Sequence, residues 1–227
     1  MATKEDILKY IEEHKEQFDS KTPDWQKIYK DLPDTFGWET GEVTDFLHDL
    51  GIHPENYIKG YLPYCFFGSS NIKTFTIPSN IIGIDNSAFI DAASLIEIDI
   101  PNRIEDIGPQ AFNGCSSLQK VTMTDSVTFI GDYCFSHCIH LEEINLSNKI
   151  NFISEYTFND CASLQTIRIP NSVKEIYDYA FRGCTKLENI FYEGTIEDFK
   201  NIPIGEGAFE EVPAPGIICK DGVYHLE

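Results

Sequence analysis

Phenylalanine returns every 23 residues along this chain, at Phe66, Phe89, Phe112, Phe135, Phe158 and Phe181. Leucine keeps the same step at Leu95, Leu118, Leu141, Leu164 and Leu187, and cysteine at Cys115, Cys138, Cys161 and Cys184. A fixed period of that size, held through more than half of the length, leaves few architectures open. It marks a solenoid, in which each repeat forms one coil and stacks only on its neighbours.

One unit runs from Ile96 to Leu118 as IEIDIPNRIEDIGPQAFNGCSSL. Apolar residues alternate at its start, as at Ile98/Ile100 and again at Ile167/Ile169, which is the mark of a half-buried strand. A Pro, Ser or Thr follows, and then a second aliphatic pair: Ile104/Ile107, Val127/Ile130, Ile150/Ile153 and Val173/Ile176. A small residue, the Phe and usually a Cys complete the coil. Stacking sets equivalent positions about 4.8 Å apart, so every inward column becomes a ladder. Burying one such side chain contributes roughly 1.5–3 kcal/mol. One coil alone cannot offset the cost of ordering its own residues, so neighbours must cover both faces and the ends need caps.

The pattern closely resembles the BspA-like, or treponemal-type, leucine-rich repeat, and the likeness covers Ile72 to Leu187. Its Ile-Pro pairs stand at Ile77-Pro78, Ile100-Pro101 and Ile169-Pro170, and its Ala-Phe pairs at Ala88-Phe89, Ala111-Phe112 and Ala180-Phe181. Met123 and Leu146 depart from it by replacing Ile with no Pro following, and Ala92 by replacing Cys. Tyr64-Cys65-Phe66 lies three periods before Tyr133-Cys134-Phe135, and Ile58 and Tyr61 fall on the columns of Ile81 and Ile84. A degenerate first coil is therefore expected from about residue 55.

The expected fold is α+β: a leucine-rich-repeat solenoid of 23-residue coils over 55–187, a short helical N-terminal head over 1–54 and a C-terminal capping segment over 188–227. In the head, Thr3 with Asp6 caps a first helix and Thr22-Pro23 opens a second, while Val43, Phe46, Leu47 and Leu50 form the apolar face of a third. LENIFYEGTIEDFKNI is similar to the closing segment of the family, where a short helix follows a final strand. Thr195 and Asp198 suit a capping box for that helix, and Asp221-Gly222 reads as a two-residue hairpin turn. Gly205-Glu206-Gly207 reads as plain loop.

A net charge of −20, from 37 acids against 17 bases, excludes partners that present phosphate or anionic lipid. The same surplus of acids in the head argues against a helix-turn-helix DNA reader. No apolar stretch approaches the roughly 18 residues that span a bilayer, and the N-terminal stretch lacks the apolar region of a secretory signal. Cys134, His137, Cys138 and His140 cluster as zinc ligands do, but each also fits a column of the repeat. Cys134 takes the small buried position of Cys65, Ala88 and Ala111; Cys138 belongs to the Cys ladder; the two His fall on turn positions. No metal or cofactor site is expected, and the seven cysteines read as reduced, buried thiols in a cytoplasmic protein. With no catalytic motif in the chain, the protein is not expected to be an enzyme.

What remains is aromatic. Tyr133, Tyr156 and Tyr179 share one column, and Phe129 and Phe152 share another, where other coils carry Gly83, Asp106 and Glu175. Neither column belongs to an inward ladder, so both are expected to face outward and bind a partner. The outward strand residues, Glu97, Asp99, Lys120, Thr122, Glu143, Asn145, Thr166 and Arg168, form a second candidate surface. The expected function is a non-enzymatic protein-interaction module whose partner carries a basic surface. The resemblance further implies a short intracellular protein of the kind found in bacteriophages and mobile elements, binding and modulating a host protein such as a defence or nucleic-acid-handling factor in the host cytoplasm. A bacterial surface adhesin without its leader, and an acidic DNA mimic, are the alternatives.

Overall fold

The computed structural model describes residues 9, 10, 13, 45, 48, 60–62 and 71–226. Short strands follow one another in chain order: β1 (Gly60–Leu62), β2 (Thr74–Phe75), β3 (Ile81–Ile84), β4 (Glu97–Ile100), β5 (Asp106–Ile107), β6 (Lys120–Met123) and β7 (Phe129–Ile130). Then come β8 (Glu143–Ile144), β9 (Phe152–Ile153), β10 (Thr166–Ile169), β11 (Glu175–Ile176), β12 (Asn189–Tyr192), the helix α1 (Ile196–Lys200), β13 (Gly216–Cys219) and β14 (Gly222–His225). Strands pair with the next coil rather than with the next strand in sequence. One column stacks β2, β4, β6 and β8, with β10, β12 and β13 beyond, while the other stacks β1, β3, β5 and β7, then β9 and β11. Pairing within both columns is parallel, as at Glu97↔Lys120 and Ile98↔Val121, so residues one period apart face each other.

The third side of each coil is a turn, and it too is bonded from coil to coil. The amides of Phe89, Phe112, Phe135, Phe158 and Phe181 donate to the carbonyls of Ala111, Cys134, Thr157, Ala180 and Ala208. The five phenyl rings lie inside these turns with none of their surface exposed. They stack nearly parallel, with centroids 4.9, 5.4, 5.7 and 5.3 Å apart. Beside them Cys115, Cys138, Cys161 and Cys184 are buried and unpaired. Each thiol donates to the carbonyl of the Phe in the preceding coil, at 3.1–3.2 Å. Cysteine suits the column because it is small and apolar yet carries one weak donor. Burial pushes these thiols upward, Cys184 to about 12.

Positive φ recurs at two turn positions. Gly114 and Gly183, at φ 74° and 72°, share one of them with Asp91, His137 and Asp160. Only glycine adopts this region without steric cost, which explains the Gly-Cys pairs of the repeat.

Three expectations require correction. Leu62, not Tyr61, stands opposite Ile84 and is buried, because the pairing of β1 slips between Gly60 and Tyr61. Gly60, at φ 97°, takes the backbone conformation that permits this bulge. The hairpin of β13 and β14 turns at Lys220-Asp221, with Gly222 paired to Cys219, one residue earlier than expected. From within that turn, the Asp221 carboxylate accepts from the amide of Ile196 at the start of α1, 2.8 Å away.

The third correction is the largest. Gly205-Glu206-Gly207 is not plain loop but part of a further coil. Ile204 bridges to Ile176, and the Phe209 ring stacks on Phe181 at 5.5 Å and 4°. Phe209 follows Phe181 by 28 residues rather than 23, and the excess of five equals the length of α1. The capping box of α1 is as expected, with the Thr195 hydroxyl and the Asp198 carboxylate each satisfying the other's backbone amide.

The described residues are therefore a β-solenoid with a single five-residue helix given in full. Lys9, Tyr10, Glu13, Asp45 and His48 are helical. Asp45 accepts from both the backbone amide and the side chain of Asn71, at 2.7 and 3.3 Å. The remainder of the helices expected over 1–54, and Tyr64, Cys65 and Phe66, lie outside the described residues.

Phe135 is covered on both faces and Phe209 is stacked in the ladder on Phe181 only. Phe135→Ala should therefore cost about 3–5 kcal/mol of stability in urea unfolding, and Phe209→Ala distinctly less. Equal losses would mean that the ladder does not couple the coils.

Candidate functional site: an acidic aromatic face

Tyr133, Tyr156 and Tyr179 occupy the other positive-φ position, at 56°, 53° and 55°. Ser87 and Gln110 hold the same conformation two coils and one coil before Tyr133, so this is a habit of the turn rather than of tyrosine. It places the three rings in a half-buried stack at the surface, with centroids 4.5 and 4.9 Å apart. Aromatic pairs of this kind contribute about 0.5–1.5 kcal/mol each, enough to offset the left-handed backbone that a bulky residue otherwise disfavours. The stack ends on Gly207, where an added Cβ would come within 2.5 Å of the Tyr179 ring.

The second expected column behaves differently. Phe129 and Phe152 are half-buried and meet at 6.0 Å with their planes 76° apart. Phe152 in turn meets Tyr177 at 5.7 Å and 86°. Tyr177 was not among the expected residues. It stands where other coils have Gly108, Gly131 and Ser154, and the substitution of a ring into a column of small residues was the signal for it. At 40% exposure it is among the most exposed large apolar residues described. The tyrosine stack covers its own faces and presents edges and hydroxyls. The right-angle row, by contrast, leaves the faces of one ring in each pair uncovered by its partner.

Between these two rows in sequence runs a column of exposed acids, Asp132, Glu155 and Asp178, continued by Glu206. Their field is felt on both sides. Tyr133 is pushed up by burial and by Tyr156, Glu155 and Asp132, and Tyr179 chiefly by the charge of Glu206. Tyr177 is pushed up first by a hydrogen bond to Glu175, with Asp132 contributing. All three phenols therefore stay protonated donors well into alkaline solution. Arg182 lies at one end of the face, its guanidinium 5.6 Å from the Tyr179 ring centroid and 2.9 Å from the Glu210 carboxylate.

The strand surface is largely satisfied within itself. Lys120 pairs with Glu143 at 3.2 Å, Thr122 donates to Asp99, and Arg168 lies over the Phe191 ring at 4.4 Å. The Cys–His cluster is dispersed by the coil. Cys134 and Cys138 are buried, His137 pairs with Asp160 at 3.3 Å, and His140 bonds the Ser116 carbonyl at 2.6 Å. Among the described residues no group of three or more His, Cys, Asp or Glu is placed to hold a metal ion. No described helix is long and apolar enough to cross a membrane. A cavity of about 480 Å³ at the last coil is lined by Ile204, Phe209, Val212 and Leu226, and its one carboxylate, Glu210, is the partner of Arg182.

The family model described as the BspA type leucine rich repeat region matches the chain in six copies, over residues 55–163 and 107–221. A leucine-rich repeat protein from Bacteroides ovatus has a similar crystal structure, with a TM-score of 0.61 and 28% identity over 71% of this chain and 40% of that one. The chain thus spans less than half the length of that relative. A leucine-rich repeat protein from T. pallidum is also similar, at a TM-score of 0.46 and 24% identity, over 63% of this chain and 78% of its own. None of the curated proteins matches the chain.

The charge of Glu206 is the first cause of the upward shift at Tyr179, so Glu206→Gln should bring that phenol down toward the ordinary value of about 10. Ultraviolet titration of tyrosinate reads this directly. A phenol raised in the folded state favours folding while it is protonated, and that contribution is lost as pH rises from the ordinary tyrosine value through the raised one. An unmoved alkaline titration would remove Glu206 from the face.

Proposed function

The chain belongs to the BspA-type leucine-rich repeat family, and from that premise we propose that it is a protein-binding module whose contact surface is the acidic aromatic face. Repeat proteins of this type are generally interaction or surface modules and generally not enzymes. The observation that carries the choice of face is the row Phe129, Phe152 and Tyr177, set across three successive coils beside the stack of Tyr133, Tyr156 and Tyr179. Rigid aromatics on a preformed scaffold bind at low ordering cost and are the residues on which interface energies concentrate. The strand surface offers charge that is already paired.

The partner carries a basic surface. With 37 acids against 17 bases, and Asp132, Glu155, Asp178 and Glu206 in one exposed column, this face attracts cations and repels phosphate. A finer reading places the work in the cytoplasm of a host cell, on a protein whose own basic cleft handles nucleic acid. It is supported by the ladder of unpaired thiols, which suits a reducing compartment.

Capture from cell lysate tests the reading, with the wild type set against the double variant Phe129→Glu/Phe152→Glu. The next coil already carries Glu175 in this column, so the variant should fold. A partner retained by the wild type should be lost from the variant and should bind more weakly as salt rises. Equal recovery by both would move the interface elsewhere. Displacement of the partner by duplex DNA would recast the chain as a DNA mimic.

A further inference from the structure

The column that holds Phe129 and Phe152 reads acid, ring, ring, acid across four coils. Asp106 stands beside Phe129 in the parallel ladder, and Glu175 stands beside Phe152. Tyr177 closes the row at right angles to Phe152. Nothing in the repeat calls for these rings, since the same columns carry Gly83 in one case and Gly108, Gly131 and Ser154 in the other. The result is a row of rings that meet edge to face, so that in each pair one ring has faces its partner leaves uncovered, with an acidic residue at each end of the phenylalanine pair.

That combination has a chemical preference. A cation is drawn to the face of an aromatic ring, and a planar guanidinium can lie on a ring while its fork of donors engages a carboxylate. A lysine ammonium is a compact, strongly hydrated point charge and cannot do both as well. The chain twice shows how its aromatic columns treat arginine. Arg182 sits near the Tyr179 ring with its Nε 2.9 Å from Glu210, and Arg168 sits over Phe191 at 4.4 Å. Both are held within the fold by a ring on the neighbouring or the same coil. The row at Phe129, Phe152 and Tyr177 has rings and a carboxylate, Glu175, while the third arginine, Arg103, donates to the carbonyls of Ile77, Pro78 and Ile81.

We infer that this row is a receptor for an arginine side chain carried by the partner, with the guanidinium laid on a ring face and paired with Glu175. The inference rests on the reading that this face binds protein, and it narrows the basic partner to one that offers arginine rather than lysine.

Fluorescence polarisation with three synthetic peptides tests it on the full chain: an arginine–glycine repeat, its lysine counterpart and its citrulline counterpart. The arginine peptide should bind on the order of tenfold more tightly than the lysine one, and the citrulline peptide should not bind measurably. Tyr177→Ser installs the residue that the chain itself carries at 154 and should abolish the preference without lowering the melting temperature. Glu175→Gln, a nearly isosteric change, should reduce it independently. Equal binding of arginine and lysine peptides would overturn the inference, since net charge alone then explains the attraction. So would a preference that survives both variants. In that case the face still stands as a protein-binding surface if the captured partner is lost from the Phe129→Glu/Phe152→Glu variant. If the double variant keeps the partner as well, the face and the arginine receptor fall together.

Discussion

Everything in this solenoid depends on the stacking of one coil upon the next through the phenylalanine turns. The rings from Phe89 to Phe209 form an unbroken column, and from Phe89 to Phe181 each Phe amide donates to a carbonyl of the following coil. No coil could hold this shape alone, because ordering its backbone costs more than its own few apolar contacts return. The coupling also sets register. Once Phe lies on Phe, every other residue is brought opposite its counterpart one period away, and the surface becomes a set of columns read directly from the sequence. The cysteine column adds to this by giving the carbonyls of Phe89, Phe112, Phe135 and Phe158 a weak donor from within the core.

Function on such a scaffold is a matter of which columns break their own habit. The tyrosines at 133, 156 and 179 inherit a left-handed turn that other coils fill with Ser87 and Gln110, and they stabilise it by stacking. Phe129, Phe152 and Tyr177 inherit nothing of the kind. They are large rings in columns of glycine, serine and acid, and they meet edge to face instead of face to face. Burial at Tyr133, the hydrogen bond to Glu175 at Tyr177 and the charge of Glu206 at Tyr179 push these phenols upward, and the acids make the face attractive to cations. A self-paired strand surface on the same coils, with Lys120 on Glu143 and Thr122 on Asp99, makes the contrast plain.

Much of this was legible before any coordinate. The strands, the buried Ile, Phe, Leu and Cys ladders and the outward tyrosine column all follow from a period that each coil repeats, and the capping box at Thr195 from its own local spacing. What escaped the sequence escaped where the period is broken. A bulge at Gly60 brings Leu62 rather than Tyr61 opposite Ile84, and a strict step of 23 cannot anticipate it. The coil through Phe209 was hidden because α1 lengthens the step to 28, although the Ala208-Phe209 pair was there to be found. Tyr177 does not stand out as part of a repeating aromatic column, because its column carries a ring once. The angle between neighbouring rings, which separates a self-covering stack from an open row, lies beyond any pattern of letters.

Hydroxyl-radical footprinting of the chain, free and bound to the partner it captures, tests the central claim most directly because it reads the accessibility of individual aromatic side chains. The account predicts that Phe129, Phe152 and Tyr177 lose reactivity together on binding, three residues spread over three coils, while Phe191 beside Arg168 on the strand surface keeps its own. Protection of Phe191 with Phe129, Phe152 and Tyr177 unchanged would contradict it and move recognition to the strands.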